Sequence, residues 1–549
     1  MYSRSILYSL LIVLMSIHAS AQPTTGSVVQ RPARPRLVVG LVLDQMRWDY
    51  LYRYADRFSE KGGFRRMLSE GHSCEQTLIP YAPTVTACGH SSVYTGTVPA
   101  INGITGNAWW DSQLNRTVYC TEDKSVSTVG SSSINQGKMS PKNMLVTTIS
   151  DELRLATNFQ SKVVGVAIKD RGAILPAGHS ANGAYWYDNS TGNWITSTYY
   201  STELPGWAQA FNQRKLPDSF YAAGWSLLYP ANSYKASTAD KKSYENAVFG
   251  ESFPYDLKKY IGKDYGKINT SPMGNEMTLA FAKAALLGES LGRDEITDLL
   301  AISFSSPDYI GHSFGPNAIE AEDAMLRMDL ALGKFFDWLD QQVGKGSYTV
   351  FLTADHGAAH VPEFSQENKL PGGRVFMGKI IDRLNASLEK TYRLKKLIVS
   401  DDNYQLHLDH VQLDSARINP NEILNWLQAE LMKEPGIDRA FLLKDLNTVP
   451  LPAPVRKMLN NGYHPNRSGD LQIILKAGYI DAYGNTGTTH GLWNPYDTHI
   501  PLLWYGWGIK KGITHREVYM TDIAPTLAAL LRIQMPSGNI GTVITEVLK

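Results

Sequence analysis

The run Arg36-Leu37-Val38-Val39-Gly40-Leu41-Val42-Leu43 is aliphatic almost without interruption and stops at Asp44. A strand with one wet face alternates apolar and polar residues, whereas one covered on both faces reads as a continuous apolar run, the mark of a buried parallel strand. The pattern recurs. Val163 to Ile168 ends at Lys169-Asp170-Arg171, Leu299 to Ser305 ends near Asp308, and Tyr348 to Thr353 ends at Asp355-His356. Pro501 to Tyr505 is a further candidate. Between these runs, apolar residues recur at three- and four-residue spacing over Asn275–Leu291 and Ile319–Val343, which predicts helices. Strands alternating with helices over this length predict an α/β fold with a mainly parallel central sheet flanked by helices. Residues from about 172 to 270 are rich in Tyr, Trp, Gly, Ser and Asn, and those from about 365 to 485 are mixed and broken by prolines at 450, 452 and 454. Both read as insertions packed on a single catalytic domain spanning 36–549.

The first residues have another character. Arg4, the apolar run Ile6 to Ile17 and the small residues Ala19-Ser20-Ala21 predict a signal peptide over 1–21, followed by a flexible leader over 22–35. The expected destination is the periplasm or the medium. No later stretch is apolar enough to span a bilayer, so no membrane association is expected after cleavage. Lys+Arg numbers 53 and Asp+Glu 52, a balance that advertises no polyanion-binding surface and argues against nucleic acid as a partner. Cys74, Cys88 and Cys120 form no CxxC pair, which argues against a cysteine-built metal site and leaves any disulfide pairing open.

In open α/β sheets, ligands sit beyond the carboxyl ends of the strands. Those ends carry Asp44, then Asp308 with His312, then Asp355 with His356. One such carboxylate would read as a helix cap or turn residue. Three at strand ends, supplying oxygen and imidazole nitrogen without thiolate, suit zinc in a hydrolytic site. Asp308 and His312 are four positions apart, so one helical turn would aim both inward. In Pro83-Thr84-Val85-Thr86-Ala87-Cys88-Gly89-His90 the chain passes from extended to helical character near Thr86. A hydroxyl there is ordinarily a cap, but exposed helix amides also favour an alkoxide and the phosphate it attacks.

Taken together, LDQMRWDY with Asp44, PTVTACGH with Thr86, SSPDYIGHSFGP with Asp308 and His312, TADHGAAH with Asp355 and His356, and GTTHGLWNPYDTHIPL with His490 resemble the alkaline phosphatase superfamily. More narrowly, they resemble its PafA-type phosphate-irrepressible alkaline phosphatases, from residue 36 to the C-terminus. That resemblance implies an alkaline-phosphatase-like core and two Zn²⁺ ions. One would be held by Asp308, His312 and His490, the other by Asp44, Asp355 and His356 with the Thr86 oxygen. It implies small-molecule phosphate monoesters as substrates and Thr86 as a nucleophile that forms a phosphothreonine. It also places Asn107 of GITGNAWW and Lys169 and Arg171 of AIKDRG around the phosphate oxygens. Arg offers a planar fork, Lys a point charge and Asn a neutral donor, a set suited to a monoester dianion. Phosphodiesterases and nucleotide pyrophosphatases of the superfamily lack the Lys-x-Arg pair, and no Cys or Ser lies in the C/S-x-P-x-R context of a sulfatase. A non-catalytic, metal-binding pseudoenzyme is the alternative from another class, opposed by the full set of ligands and nucleophile. His499 is expected near the metals at most as a supporting residue, and His90 and His360 are expected to be structural or supporting.

Overall fold

A computed structural model describes residues 33–549. The expected signal peptide, and all but the end of the expected leader, lie outside the described residues. Pro35–Lys549 forms one compact unit.

The central strands, in chain order, are β1 (Leu37–Leu43), β2 (His72–Leu78), β3 (Val163–Ala167), β4 (Gly183–Asp188), β5 (Asn193–Ser197), β6 (Asp298–Phe304), β7 (Tyr348–Thr353), β8 (Leu502–Gly506) and β9 (Gly512–Tyr519). They belong to an 11-stranded sheet whose middle runs β2-β8-β7-β1-β6-β3-β4-β5. Strands β7, β1, β6, β3 and β4 are parallel. The flanks turn antiparallel at β8 on one side and β5 on the other. Every residue of β1, β3, β6 and β7 is buried, which is why these strands read as unbroken apolar runs. Each fully buried Val, Ile or Leu there contributes about 1.5–3 kcal/mol. Gly40 marks the closest approach of the layers: a Cβ at that position would lie 2.2 Å from the Tyr94 hydroxyl and 2.7 Å from the Phe351 ring.

Five helices matter for the site and its support: α1 (Thr86–Thr95), α2 (Asp170–Ala177), α3 (Pro272–Gly288), α4 (Ser306–Phe314) and α5 (Ile319–Leu339). Helix α3 begins three residues earlier than the periodicity indicates, because Pro272 with its fixed φ opens the first turn. Strands β4 and β5 come from the aromatic-rich stretch after residue 172 and extend the main sheet. The remainder of that stretch packs through aromatic contacts such as Trp225 against Phe253 and Phe314. Between β7 and β8 the chain builds a separate four-stranded sheet, ordered Ile398–Ser400, Gln405–Leu408, Leu471–Leu475, Ile437–Leu442. It buries a core of its own that includes Leu384, Leu427, Leu471 and Ile473. Cys74, Cys88 and Cys120 are buried and free.

Candidate active site

Four neighbouring parallel strands, in the order β7-β1-β6-β3, deliver polar groups to one edge of the sheet. Asp44 follows β1 directly, Lys169 lies just past β3, Asp308 sits in the first turn of α4 after β6, and Asp355 and His356 follow β7. Helix α1 brings Thr86 as its first residue, after an extended Val85, with no side-chain cap. The hydroxyl is therefore free of the capping role that a Thr at a helix start usually fills. His490 returns from the loop that follows the inserted sheet.

Lys169 is the hub. Its Nζ lies 2.7 Å from Asp44 Oδ2, 2.6 Å from Asp308 Oδ2 and 3.3 Å from Thr86 Oγ1. The Thr86 hydroxyl is also 3.5 Å from His356 Nε2. His356 Nε2 in turn lies 3.5 Å from both Asp44 Oδ1 and Asp355 Oδ2. Asp308 Oδ1 is 3.1 Å from His312 Nε2 and 3.5 Å from His490 Nε2.

The three imidazoles share one orientation device. His312 Nδ1 meets the Thr488 carbonyl at 2.8 Å, His490 Nδ1 the Thr84 carbonyl at 2.7 Å, and His356 Nδ1 the Gly357 carbonyl at 3.0 Å. A carbonyl can only accept, so each Nδ1 carries a proton and each Nε2 is turned toward the carboxylates. Backbone carbonyls behind metal-binding histidines fix tautomer and ring plane in this way. Burial pushes His356 down to about 3 and also lowers His490, which keeps both rings neutral, whereas at His312 burial is outweighed by the Asp308 charge and the pKa is raised.

The carboxylates make the same point through charge. Burial works against ionisation of Asp308 and Asp355, yet neighbouring cations and imidazoles hold both well below the usual carboxylate range. Asp44 is pushed far up by burial and by the Asp355 charge, with Lys169 opposing. Three buried carboxylates thus face one lysine. Asp44 Oδ1 and Asp355 Oδ2 are buried without a hydrogen-bond partner. Two groups of donors converge closely enough to hold an ion: Asp308, His312 and His490, and Asp44, Asp308 and His356. The expected second set had Asp355 where this group has Asp308; Asp355 Oδ2 itself lies 3.5 Å from His356 Nε2. Unsatisfied acidic oxygens beside oriented imidazoles fit divalent cations.

The remaining phosphate-binding candidates lie around α1 and α2. Asn107 Oδ1 accepts from the Ala87 amide at 2.9 Å, which fastens it beside Thr86. Arg171 Nη1 donates to the Tyr119 hydroxyl at 3.0 Å, and its buried Nε has no partner. Tyr119 itself donates to Asp170 Oδ1 at 2.7 Å. His90 bridges the Thr86 carbonyl (2.8 Å) and the Ser303 hydroxyl (2.7 Å) and lies 3.3 Å from Asp355 Oδ2, so it braces the turn that carries Thr86. His360 pairs with Asn317 through Nδ1 and lies 3.4 Å from Arg47 Nη1 through Nε2. His499 stacks on Trp48 and meets the Glu75 carbonyl at 2.8 Å, contacts that brace the strand edge. Sequence reasoning passed over Gln45, whose amide groups touch both Asp308 and Asp355, and Tyr119, which holds Arg171.

A sequence model of the family described as type I phosphodiesterase / nucleotide pyrophosphatase matches residues 38–498. The chain is 52% identical to alkaline phosphatase PhoV of Synechococcus elongatus, with 98% of each chain covered. It is 48% identical to alkaline phosphatase PafA of Elizabethkingia meningoseptica, over 94% of this chain and 95% of that one. A protein of Myroides odoratus named as a calcium-transporting ATPase is 49% identical over the same shares. The crystal structure of wild-type PafA superposes with a TM-score of 0.92 at 48% identity, covering 94% of this chain and 99% of that one. The chain belongs to the type I phosphodiesterase / nucleotide pyrophosphatase family of the alkaline phosphatase superfamily. Within it, the nearly full-length likeness is to the PafA and PhoV alkaline phosphatases.

Proposed function

We propose that the protein is a zinc-dependent alkaline phosphatase, exported to the periplasm or beyond, that hydrolyses phosphate monoesters to an alcohol and inorganic phosphate. The observation that carries this reading is the setting of Thr86 Oγ1. It stands at a helix N-terminus, 3.3 Å from Lys169 Nζ and 3.5 Å from His356 Nε2, in a buried cluster where carboxylates outnumber cations. Asp308, His312 and His490 would hold one zinc, and Asp44, Asp355 and His356, with the Thr86 oxygen, the other. Such a pair, when bound, supplies Lewis acidity to the attacking and leaving oxygens of an in-line displacement.

Thr86 loses its proton and attacks phosphorus, the bond to the leaving oxygen breaks, and the alcohol departs, leaving phosphothreonine. Water then cleaves the new ester and restores the hydroxyl. The first amides of α1 and the helix dipole favour the negative charge that gathers at Thr86 in both steps. A cation 3.3 Å from the nucleophile is within reach of non-bridging oxygens once phosphorus is attached, and Arg171 and Asn107 flank the same space. These contacts favour a dianionic monoester over a diester, one of whose oxygens is masked by carbon.

The transport name of the Myroides relative does not change this reading. Among the described residues no helix is long and apolar enough to cross a membrane, and the site's chemistry is phosphoryl transfer. The test is kcat/KM for an aryl phosphate monoester, a diester and a sulfate on one zinc-loaded preparation. The monoester should lead clearly. A diester preference would return the protein to the activity in its family's description.

A further inference from the structure

We propose that Gln45 is a positioning residue that ties the two metal half-sites together, holding one carboxylate of each in register. This rests on the two-zinc reading above. Gln45 directly follows Asp44, is buried, and has φ +66, a left-handed conformation that costs a non-glycine residue about 1 kcal/mol or more. Strain of this kind persists only where the surroundings hold it. Here the left-handed turn sends the two donors of one residue in different directions. The backbone N–H donates to Asp355 Oδ1 at 3.1 Å, and the side-chain Nε2 donates to Asp308 Oδ1 at 2.6 Å. On the two-zinc reading, Asp308 is a ligand beside His312 and His490, although it also approaches Asp44 and His356, and Asp355 is a ligand beside His356.

The choice of oxygens is as telling as the contacts. A carboxylate oxygen carries two lone pairs. Asp308 Oδ1 gives one to Gln45 and keeps one on the side of His312 and His490, whose Nε2 atoms lie 3.1 and 3.5 Å away. Asp355 Oδ1 accepts from two backbone amides, Gln45 N–H at 3.1 Å and His356 N–H at 3.0 Å, while Oδ2 is left without a hydrogen bond. Gln45 thus anchors both carboxyl groups while leaving donor capacity toward the histidines. Helix α4 is indented to receive it, since a Cβ on Gly311 would lie 1.8 Å from Gln45 Oε1. Gly311 stands one residue before His312, so the glycine and the glutamine form one fitted unit.

The two arms of Gln45 can be separated. Gln45→Gly keeps the left-handed backbone and its N–H but deletes the side-chain donor. Gln45→Ala deletes the same donor and also disfavours the backbone conformation. Gly311→Ala leaves Gln45 in the sequence and displaces its side chain. The experiment titrates zinc into metal-free protein against a chromophoric chelator, and the wild type should bind two ions. Gln45→Gly should bind one of them about 10–100-fold more weakly and the other nearly unchanged, the size expected when support behind a metal ligand is lost. The weakened ion should be the one that His312→Ala also weakens, so the double variant still holds one ion tightly. Gly311→Ala should reproduce Gln45→Gly, and Gln45→Ala should weaken both ions. Wild-type affinity at both sites in Gln45→Gly, with or without a lower melting temperature of the metal-free protein, would reduce Gln45 to a space-filling residue and overturn the proposal. Equal weakening of both ions in Gln45→Gly would overturn the division of labour between its two arms. Fewer than two ions in the wild type would overturn the two-zinc reading itself, and the coupling with it.

Discussion

Replacing Lys169 by Met separates the lysine's structural work from its work on substrate. Met keeps most of the side-chain length and removes the charge that lies 2.7 Å from Asp44 and 2.6 Å from Asp308. At an effective dielectric constant near 20, each gross attraction at that distance is about 6 kcal/mol, much of it cancelled by the cost of burying the charges. Breaking a buried pair by removing one partner costs about 3–5 kcal/mol net. Metal-free Lys169→Met should lose stability of that order, because three carboxylates are left facing one another. Zinc-loaded protein should lose far less, since the ions then compensate the carboxylates. Catalysis should not recover. Loss of one preorganised cation should lower kcat/KM for an aryl monoester by about 10²–10³-fold, with a smaller loss for the diester. Adding Arg171→Ala should take the monoester loss to about 10³-fold or beyond and narrow the preference further. The assays are urea unfolding of metal-free and zinc-loaded protein, and steady-state kinetics with both ester classes. Parallel losses for monoester and diester in a stable, zinc-replete variant would refute the specificity argument. Equal destabilisation with and without zinc would refute the charge argument.

Chelation should abolish activity, and zinc should restore it better than magnesium, because a site with three imidazoles is poorly matched to a hard oxygen-seeking cation; elemental analysis alongside turnover checks this. Thr86→Ala should lose several orders of magnitude in kcat/KM while Thr86→Ser keeps considerable activity. Thr84→Ala should act mainly on the loop, since the Thr84 hydroxyl donates to the Leu492 carbonyl at 2.8 Å and points away from the nucleophile's role. Glu320 is buried, accepts from the Tyr255 hydroxyl at 2.6 Å, and burial raises its carboxyl to about 7, above the usual 4.5. A raised carboxyl favours folding below pH 4.5, and that contribution is lost as pH climbs through 7. Glu320→Gln should therefore leave stability unchanged near pH 4 and raise it by up to about 3 kcal/mol at pH 9, read from urea midpoints.

The parts of this architecture that were legible in the sequence are those where one physical demand acts alone. Strands covered on both faces must be apolar throughout, so β1, β3, β6 and β7 stand out with their terminal Asp44, Lys169, Asp308 and Asp355. Strand β2, HSCEQTL, carries polar residues among apolar ones and gave no such signal. Strands β4 and β5 hide in a Tyr- and Trp-rich stretch whose composition suits a loop-rich insertion as well as a sheet flank. Gln45 was illegible for a different reason. Its role depends on a positive φ and on carboxylates 263 and 310 residues away, which no local pattern records.

The central claim is that Thr86 carries the phosphoryl group, and covalent trapping tests it most directly. Zinc-loaded enzyme mixed with excess aryl phosphate, quenched in acid and digested should yield the peptide containing PTVTACGH with one added phosphate localised to Thr86 by mass spectrometry. Thr86→Ala treated identically should yield none. A phosphate on Thr84 or His356, or full turnover by Thr86→Ala without any phosphopeptide, would contradict the account.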